Sequence, residues 1–381
     1  MPEHPRLPYR VEAAGSGQIE RRRCKHVKTS GDDRMSPAGR AYTSKEVGMK
    51  RLLLSSILAS LSIVLPSAWS KEPLQLVAEE FRVASAAPGV QLFLRNKRPK
   101  ELGRFDSSRT VLYVHGATQP SETVFDLPVG DGSWADFIAS QGYDVWLVDV
   151  RGYGGSTAPA DQSKPFATTR DAVEDLGAAI DFILSRRSLA KLQLIGWSWG
   201  TLIAGSYAAE RPDRVAGLVL LAPPWLSSAG GKRPEAAWQE WTVDGALKRL
   251  QTGVPDGQAE AIFPPSWKAI WEQALLASQP DAKAQTPPRF RSPTGVLVDG
   301  AEYWNVDKAI YDPGKITAPT LIIRGAWDEL TPLSQSQALF ALLRNAPVRH
   351  LIEIPRATHF IEVETGRDVL FREVQSFLDR N

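Results

Sequence analysis

Leu192-Gln193-Leu194-Ile195-Gly196-Trp197-Ser198-Trp199-Gly200 is the stretch that decides the fold. Its apolar start reads as a buried strand, its centre as a sharp turn carrying a serine, and Thr201 to Glu210 as the helix that follows. A serine that is to act as a nucleophile must lift its hydroxyl clear of the sheet, which takes a strained strand-to-helix turn. Gly196 and Gly200 flank Ser198 at two residues on either side and relieve the crowding of such a turn, because they carry no Cβ. The pentapeptide alone is a weak signal. Its setting between a strand and an Ala-rich helix makes it a nucleophile elbow.

A serine hydroxyl needs a base to take its proton, and the base needs a third group to hold its tautomer. The chain has five histidines: His4, His26, His115, His350 and His359. The first two lie in an N-terminal extension outside the expected fold. His115 closes the strand Thr110 to Val114 and precedes Gly116, which suits an oxyanion loop. His350 falls inside the alternating run Val348 to Ile354 and reads as a strand residue. Elimination leaves His359, on the loop Arg356-Ala357-Thr358-His359-Phe360. The orienting acid is expected at the end of an earlier strand. Pro319 to Gly325 is such a strand, and Asp328 comes off its end, with Glu329 as the weaker substitute. Read in isolation Asp328 is a helix cap or a solvated charge; the order Ser198, Asp328, His359, each after a strand, argues for the acid. The backbone N–H of Trp199, next to the nucleophile, and that of Ala117, after Gly116, are the expected oxyanion donors.

These segments resemble the α/β-hydrolase superfamily over about residues 74 to 381. The resemblance rests on Val114-His115-Gly116, Asp149-Val150-Arg151-Gly152-Tyr153-Gly154-Gly155-Ser156, the elbow, Gly325-Ala326-Trp327-Asp328 and Thr358-His359-Phe360. It implies an α/β fold, a doubly wound and mainly parallel sheet with a helical cap inserted after the sixth strand. Asp149 and Arg151 are read as scaffold. With Ser198 at the elbow, where dehalogenases and epoxide hydrolases of the superfamily carry Asp, cleavage of an ester, thioester, lactone or amide is implied.

Composition is that of a large globular enzyme: 381 residues, 43% hydrophobic. Residues 1–48 are polar and basic, a non-globular extension. Met49-Lys50-Arg51, the apolar run Leu52 to Leu65 and the small residues Ala68 and Ser70 then read as a signal peptide over 49–70. Met49 is therefore expected to be the true start, with a periplasmic or secreted location after cleavage near Ser70. The rival reading is an uncleaved amphiphilic anchor with a basic arm. Residues 1–70 hold 12 of the 45 basic and 6 of the 43 acidic residues, which leaves 33 and 37 and a net charge of −4. No nucleic-acid footprint survives that subtraction. The single cysteine, Cys24, falls in the same segment, so a mature domain has no disulfide, no thiolate metal site and no lipoprotein anchor. No HExxH, Cys/His cluster or P-loop occurs, so no metal and no cofactor is implied, and no stable membrane anchor is expected. The pattern sets no oligomeric state.

Along the core, 81–84 and 90–94 form an expected hairpin across Pro88-Gly89. Strands at 110–115, 144–150, 191–196 and 215–221 alternate with helices at 171–187 and 201–210, which argues for a parallel sheet with its ligand at the carboxyl edge. The core then spans 71–223 and 309–381, and 224–308 is the cap. Helices are expected at 234–250 and 266–277 and an extended piece from Thr294 to Trp304. Six of the twelve tryptophans fall in the cap. At helical spacing Trp238/Trp241 and Trp267/Trp271 each share a face, and packing is the plainer role for them. Trp225 and Trp304 of the cap, and Trp197 and Trp327 beside the catalytic positions, are the expected walls of an aromatic substrate pocket. Arg289 and Arg291 suit a substrate carboxylate, with a solvated or salt-bridged role as the alternative.

The leading expectation is an exported carboxylic-ester hydrolase acting on a small-molecule or polymer ester. A second is an aminopeptidase, since the GxSWG elbow is similar to that of prolyl aminopeptidases; it needs cap carboxylates, for which Glu235, Glu240 and Glu302 are the candidates. A third is a catalytically dead binding protein on the same fold.

Overall fold

The computed structural model describes residues 74–279, 282 and 286–381. The expected extension and signal peptide, residues 1–70, lie outside the described residues. Among the described residues no helix is long and apolar enough to cross a membrane.

Two antiparallel strands open the sheet, β1 (Leu76–Ala84) and β2 (Gln91–Pro99), paired from Leu76 with Pro99 to Ala84 with Gln91. The left-handed Gly89 (φ +76°) sits in their turn, where a Cβ would be strained. Then follow β3 (Thr110–Val114), α1 (Trp134–Ser140), β4 (Asp144–Asp149), α2 (Thr169–Arg187), β5 (Leu192–Trp197), α3 (Trp199–Glu210) and β6 (Val215–Leu221). The chain leaves the sheet after β6 and returns as β9 (Thr320–Gly325), α8 (Leu333–Leu342), β10 (Arg349–Ile354) and α9 (Arg367–Leu378). The eight strands lie in the order β1-β2-β4-β3-β5-β6-β9-β10, parallel from β4 to β10.

Alternation along the strands divides the core into two layers. Leu112 and Val114 of β3 and Leu194 of β5 face a cluster built with α2, α3 and α8. Val111, Tyr113 and Ile195 face the opposite cluster, built with α1 and α9. A sheet buried on both faces explains why its strands are near-continuous apolar runs. Capping boxes fix two helix starts, Ser133 with Asp136 for α1 and Thr168 with Asp171 for α2. Asp149 receives the N–H groups of Ser121 and Gly155, and Arg151 is clamped by Asp175 and Asp171, so both residues brace loops.

The segment between β6 and β9 differs from its expectation in two places. Trp238–Thr242 is a strand, β7, paired antiparallel with β8 (Arg289–Pro293), and only Val243–Leu250 is helical, α4. On a strand the i,i+3 offset sends Trp238 and Trp241 to opposite faces, so they do not share one. The piece expected to be extended is the helix α7, Gly295–Glu302. The short helix α5 (Ala259–Ile262) and α6 (Pro265–Ala277) complete the insertion. Trp271 of α6 is buried against Phe263 and donates to Gln119, so this ring docks the insertion onto the core.

Below the carboxyl edge, the hydroxyl of Tyr113 donates to Glu362, a fully buried carboxyl whose pKa burial pushes up to about 8. An unfolded Glu titrates near 4.3, so between about pH 4.3 and 8 the folded state binds more protons than the unfolded chain. This group therefore adds stability at low pH that is lost as the pH rises to 8. Urea unfolding at pH 5, 6.5 and 8 is expected to show a smaller loss with pH for Glu362→Gln than for the wild type. Parallel profiles would mean that Glu362 is ionised when folded.

Candidate active site

Ser198 sits between β5 and α3 with φ 53° and ψ −123°, a conformation that costs on the order of 1–3 kcal/mol in a non-glycine residue. The surroundings enforce it. A Cβ on Gly196 would lie 2.4 Å from the carbonyl oxygen of Gly200, and one on Gly200 would lie 2.3 Å from that of Val114. Gly116 is equally confined, since a Cβ there would stand 2.9 Å from the Cβ of Ser198. The turn closes only because these three positions are bare.

The folded chain brings together three residues that the sequence keeps far apart. His359 Nε2 lies 2.8 Å from Ser198 Oγ, and Nδ1 lies 2.9 Å from Asp328 Oδ2. All three are buried. The second carboxylate oxygen of Asp328 accepts the N–H groups of Leu330 and Thr331, both at 2.9 Å, and the Thr331 hydroxyl donates to Oδ2 at 2.5 Å. Burial alone would raise the pKa of Asp328, but His359 and the Thr331 donors hold it below the usual carboxylate value. Asp328 is thus a fixed anion facing the imidazole, and His359 is placed to take the serine proton and to be steadied once it has done so.

The loop carrying His359 is tied down on several sides. Glu364 receives the N–H and hydroxyl of Thr358, and the Trp197 indole donates to the carbonyl of His359 at 2.9 Å. Across the site, His115 Nε2 accepts the N–H of Val150, which makes Nδ1 the donor to the Gly116 carbonyl at 2.7 Å. Burial lowers the pKa of this imidazole and keeps it neutral in that role. His115 thereby shapes the loop of Ala117, which turns through the left-handed Thr118 (φ 82°). Among the described residues neither the Ala117 nor the Trp199 amide has a hydrogen-bond acceptor, and both residues line the cavity at Ser198.

That cavity measures about 390 Å³. Of the four tryptophans expected to wall it, Trp304 does. Trp197 and Trp225 are buried elsewhere, the first against Phe360 and the second against Tyr311, and Trp327 stands outside the lining. Neighbourhood in sequence misleads here because the residues flanking Ser198 point to opposite faces of the sheet: Trp197 enters one core layer and Trp199 the other. The remaining wall includes Val296, Leu297, Gly300 and Ala301 of α7, with Leu330, Thr331, Lys232 and Arg249. Arg249 escaped the sequence reading, since a cation in the last turn of an amphipathic helix looks like a dipole partner on a solvated face. Arg289 and Arg291 lie away from Ser198, the former paired with Glu240 and the latter over the Trp238 ring. Glu302 pairs with Arg233, and none of Glu235, Glu240 and Glu302 reaches the cavity.

A family model described as the alpha/beta hydrolase fold matches residues 109–372. A proline iminopeptidase of Neisseria meningitidis is 30% identical over 54% of this chain and 72% of its own length. A putative 2-succinyl-6-hydroxy-2,4-cyclohexadiene-1-carboxylate synthase of Bacillus subtilis is 28% identical over 71% of this chain and 90% of its own. Among solved structures, a meta-cleavage product hydrolase of Pseudomonas fluorescens superposes with a TM-score of 0.56 at 18% identity, over 79% of this chain and 97% of that one, a likeness of fold.

Reactivity of Ser198 can be read without knowing a substrate. A fluorophosphonate is expected to label the wild-type protein, and His359→Ala or Asp328→Asn to slow labelling by about 10³-fold or more. Equal labelling rates would mean that the hydrogen-bonded chain does not activate the serine.

Proposed function

As a member of the α/β-hydrolase fold family, the chain has hydrolases for relatives, and we propose that it cleaves carboxylic esters through an acyl-enzyme on Ser198. The observation that carries this reading is the unbroken chain of contacts Asp328, His359, Ser198 opening onto a cavity, with two amides beside the serine that have no acceptor among the described residues. In the first step His359 takes the hydroxyl proton as Ser198 attacks the carbonyl, and the amides of Ala117 and Trp199 receive the developing oxyanion. Asp328 offsets the charge of the imidazolium. Collapse of the tetrahedral intermediate expels the alcohol, protonated by His359. Water, deprotonated by the same imidazole, then releases the acid.

An aminopeptidase is the second reading, favoured by the iminopeptidase relative. A free amine calls for carboxylates in the cavity, and the described lining offers cations in their place. Supporting the ester reading over the dead binding protein is the intact donor and acceptor set around Ser198. The proposal includes export, supported by the pattern of residues 49–70 and the lack of cysteine beyond Cys24.

Nitrophenyl esters of graded acyl length and an aminoacyl-nitroanilide, offered to the full chain with Ser198→Ala as control, separate these readings. Ester turnover that the substitution abolishes is the expected outcome. Nitroanilide cleavage well above ester cleavage would move the assignment to a peptidase.

A further inference from the structure

Arg249 is the odd charge of the site. It is half-buried, it lines the cavity with Ser198 and His359, and among the described residues no hydrogen bond or ion pair holds its guanidinium. Other well-covered arginines in the structure are engaged: Arg151 by Asp171 and Asp175, Arg187 by Asp144, Arg324 by Glu353. A half-covered guanidinium with no protein partner among the described residues keeps its charge near neutral pH and stays open to an anion entering the cavity. Desolvation lowers its pKa, and the field of the Asp328 carboxylate, which His359 and Thr331 already occupy, opposes that.

The position is rigid. The carbonyl of Leu250, the next residue, faces the Thr358 hydroxyl on the histidine loop. A little further on, Gly253 (φ +87°) packs so closely that a Cβ would stand 1.9 Å from the Trp327 carbonyl oxygen beside the acid. The end of α4 is thus held to both catalytic loops, with its cation facing the same space as the nucleophile. Lys232 adds an exposed second cation at the rim, and no Asp or Glu appears in the described lining. The far wall, Val296, Leu297 and Trp304, is apolar.

We propose that the cavity selects esters bearing a free carboxylate, received by Arg249, with Lys232 drawing the anion to the mouth and the apolar wall covering the carbon chain between. This rests on the ester-hydrolase reading of Ser198. A planar guanidinium with no competing partner matches a carboxylate through two parallel hydrogen bonds, and the ligand supplies the charge that the protein leaves out. The same two cations disfavour a substrate amine.

Two readouts keep the proposal and its premise apart. The first is calorimetric titration of glutarate and of dimethyl glutarate into full-chain Ser198→Ala, alone and combined with Arg249→Gln or Arg249→Lys. The dianion is expected to bind, to weaken about 10- to 100-fold with Gln and less with Lys, while the neutral diester shows no such dependence on Arg249. The second is the ratio of kcat/KM for mononitrophenyl glutarate over nitrophenyl butyrate, expected to exceed one and to fall about tenfold or more in Arg249→Gln. Should that variant fail to fold, the Lys variant carries the comparison. Equal weakening of glutarate and its diester, or a glutarate affinity indifferent to Arg249, overturns the proposal. Arg249-dependent binding of glutarate without turnover of either ester upholds reception of a carboxylate by Arg249 and overturns the ester reading, and with it the ester selectivity.

Discussion

The close approach of three backbone segments at Gly116, Gly196 and Gly200 is the constraint from which the rest of the site follows. It forces Ser198 into a conformation that a non-glycine residue adopts only when its surroundings compel it. The opposing force is the packing of β5 between two buried layers, one of them built with α3, with β3 on one side and β6 on the other. Strain at one residue is small against that burial, so the fold holds the serine up without cooperation from the serine itself. Everything else in the site is arranged around a hydroxyl whose place is already set.

Holding the histidine is the complementary task. Its loop carries no regular structure at His359, so its order comes from polar contacts: Glu364 below, the Trp197 indole behind, Asp328 to one side. Two of these groups are carboxyls in low-dielectric surroundings, and burial raises Glu364 to about 7 while partners hold Asp328 low. Two acids packed against one histidine loop are thus driven in opposite directions: burial raises Glu364 against the Thr358 donors it accepts, while the partners of Asp328 outweigh burial and keep it the anion that faces the imidazole.

How much of this was legible in the sequence depends on which physical rule a residue obeys. Strands buried on both faces advertise themselves as apolar runs, and the residues that end them fall on one edge of a parallel sheet, so Ser198, Asp328 and His359 could be picked by position and order. Period alone failed at Trp238 and Trp241, where an i,i+3 pair on a five-residue strand mimics a helix face and only the partner strand Arg289–Pro293, far along the chain, decides the matter. Pocket walls were the least legible. Trp304 is found where the sequence reading expects it, but Trp197, adjacent to the nucleophile, turns into the core, and Arg249 reaches the cavity from an insertion whose docking no local pattern records. Arg249 in particular looks like any helix-terminal cation until the absence of a partner among the described residues is seen together with the cavity.

The proposed reaction requires that Ser198 become acylated in turnover. Intact-protein and peptide mass spectrometry on full-chain protein quenched in acid during nitrophenyl butyrate hydrolysis tests it most directly. A butyryl adduct is expected on the peptide containing Ser198, formed with the burst of nitrophenol and lost as free butyrate appears. Steady turnover with no adduct, or with the adduct on another residue, would contradict it.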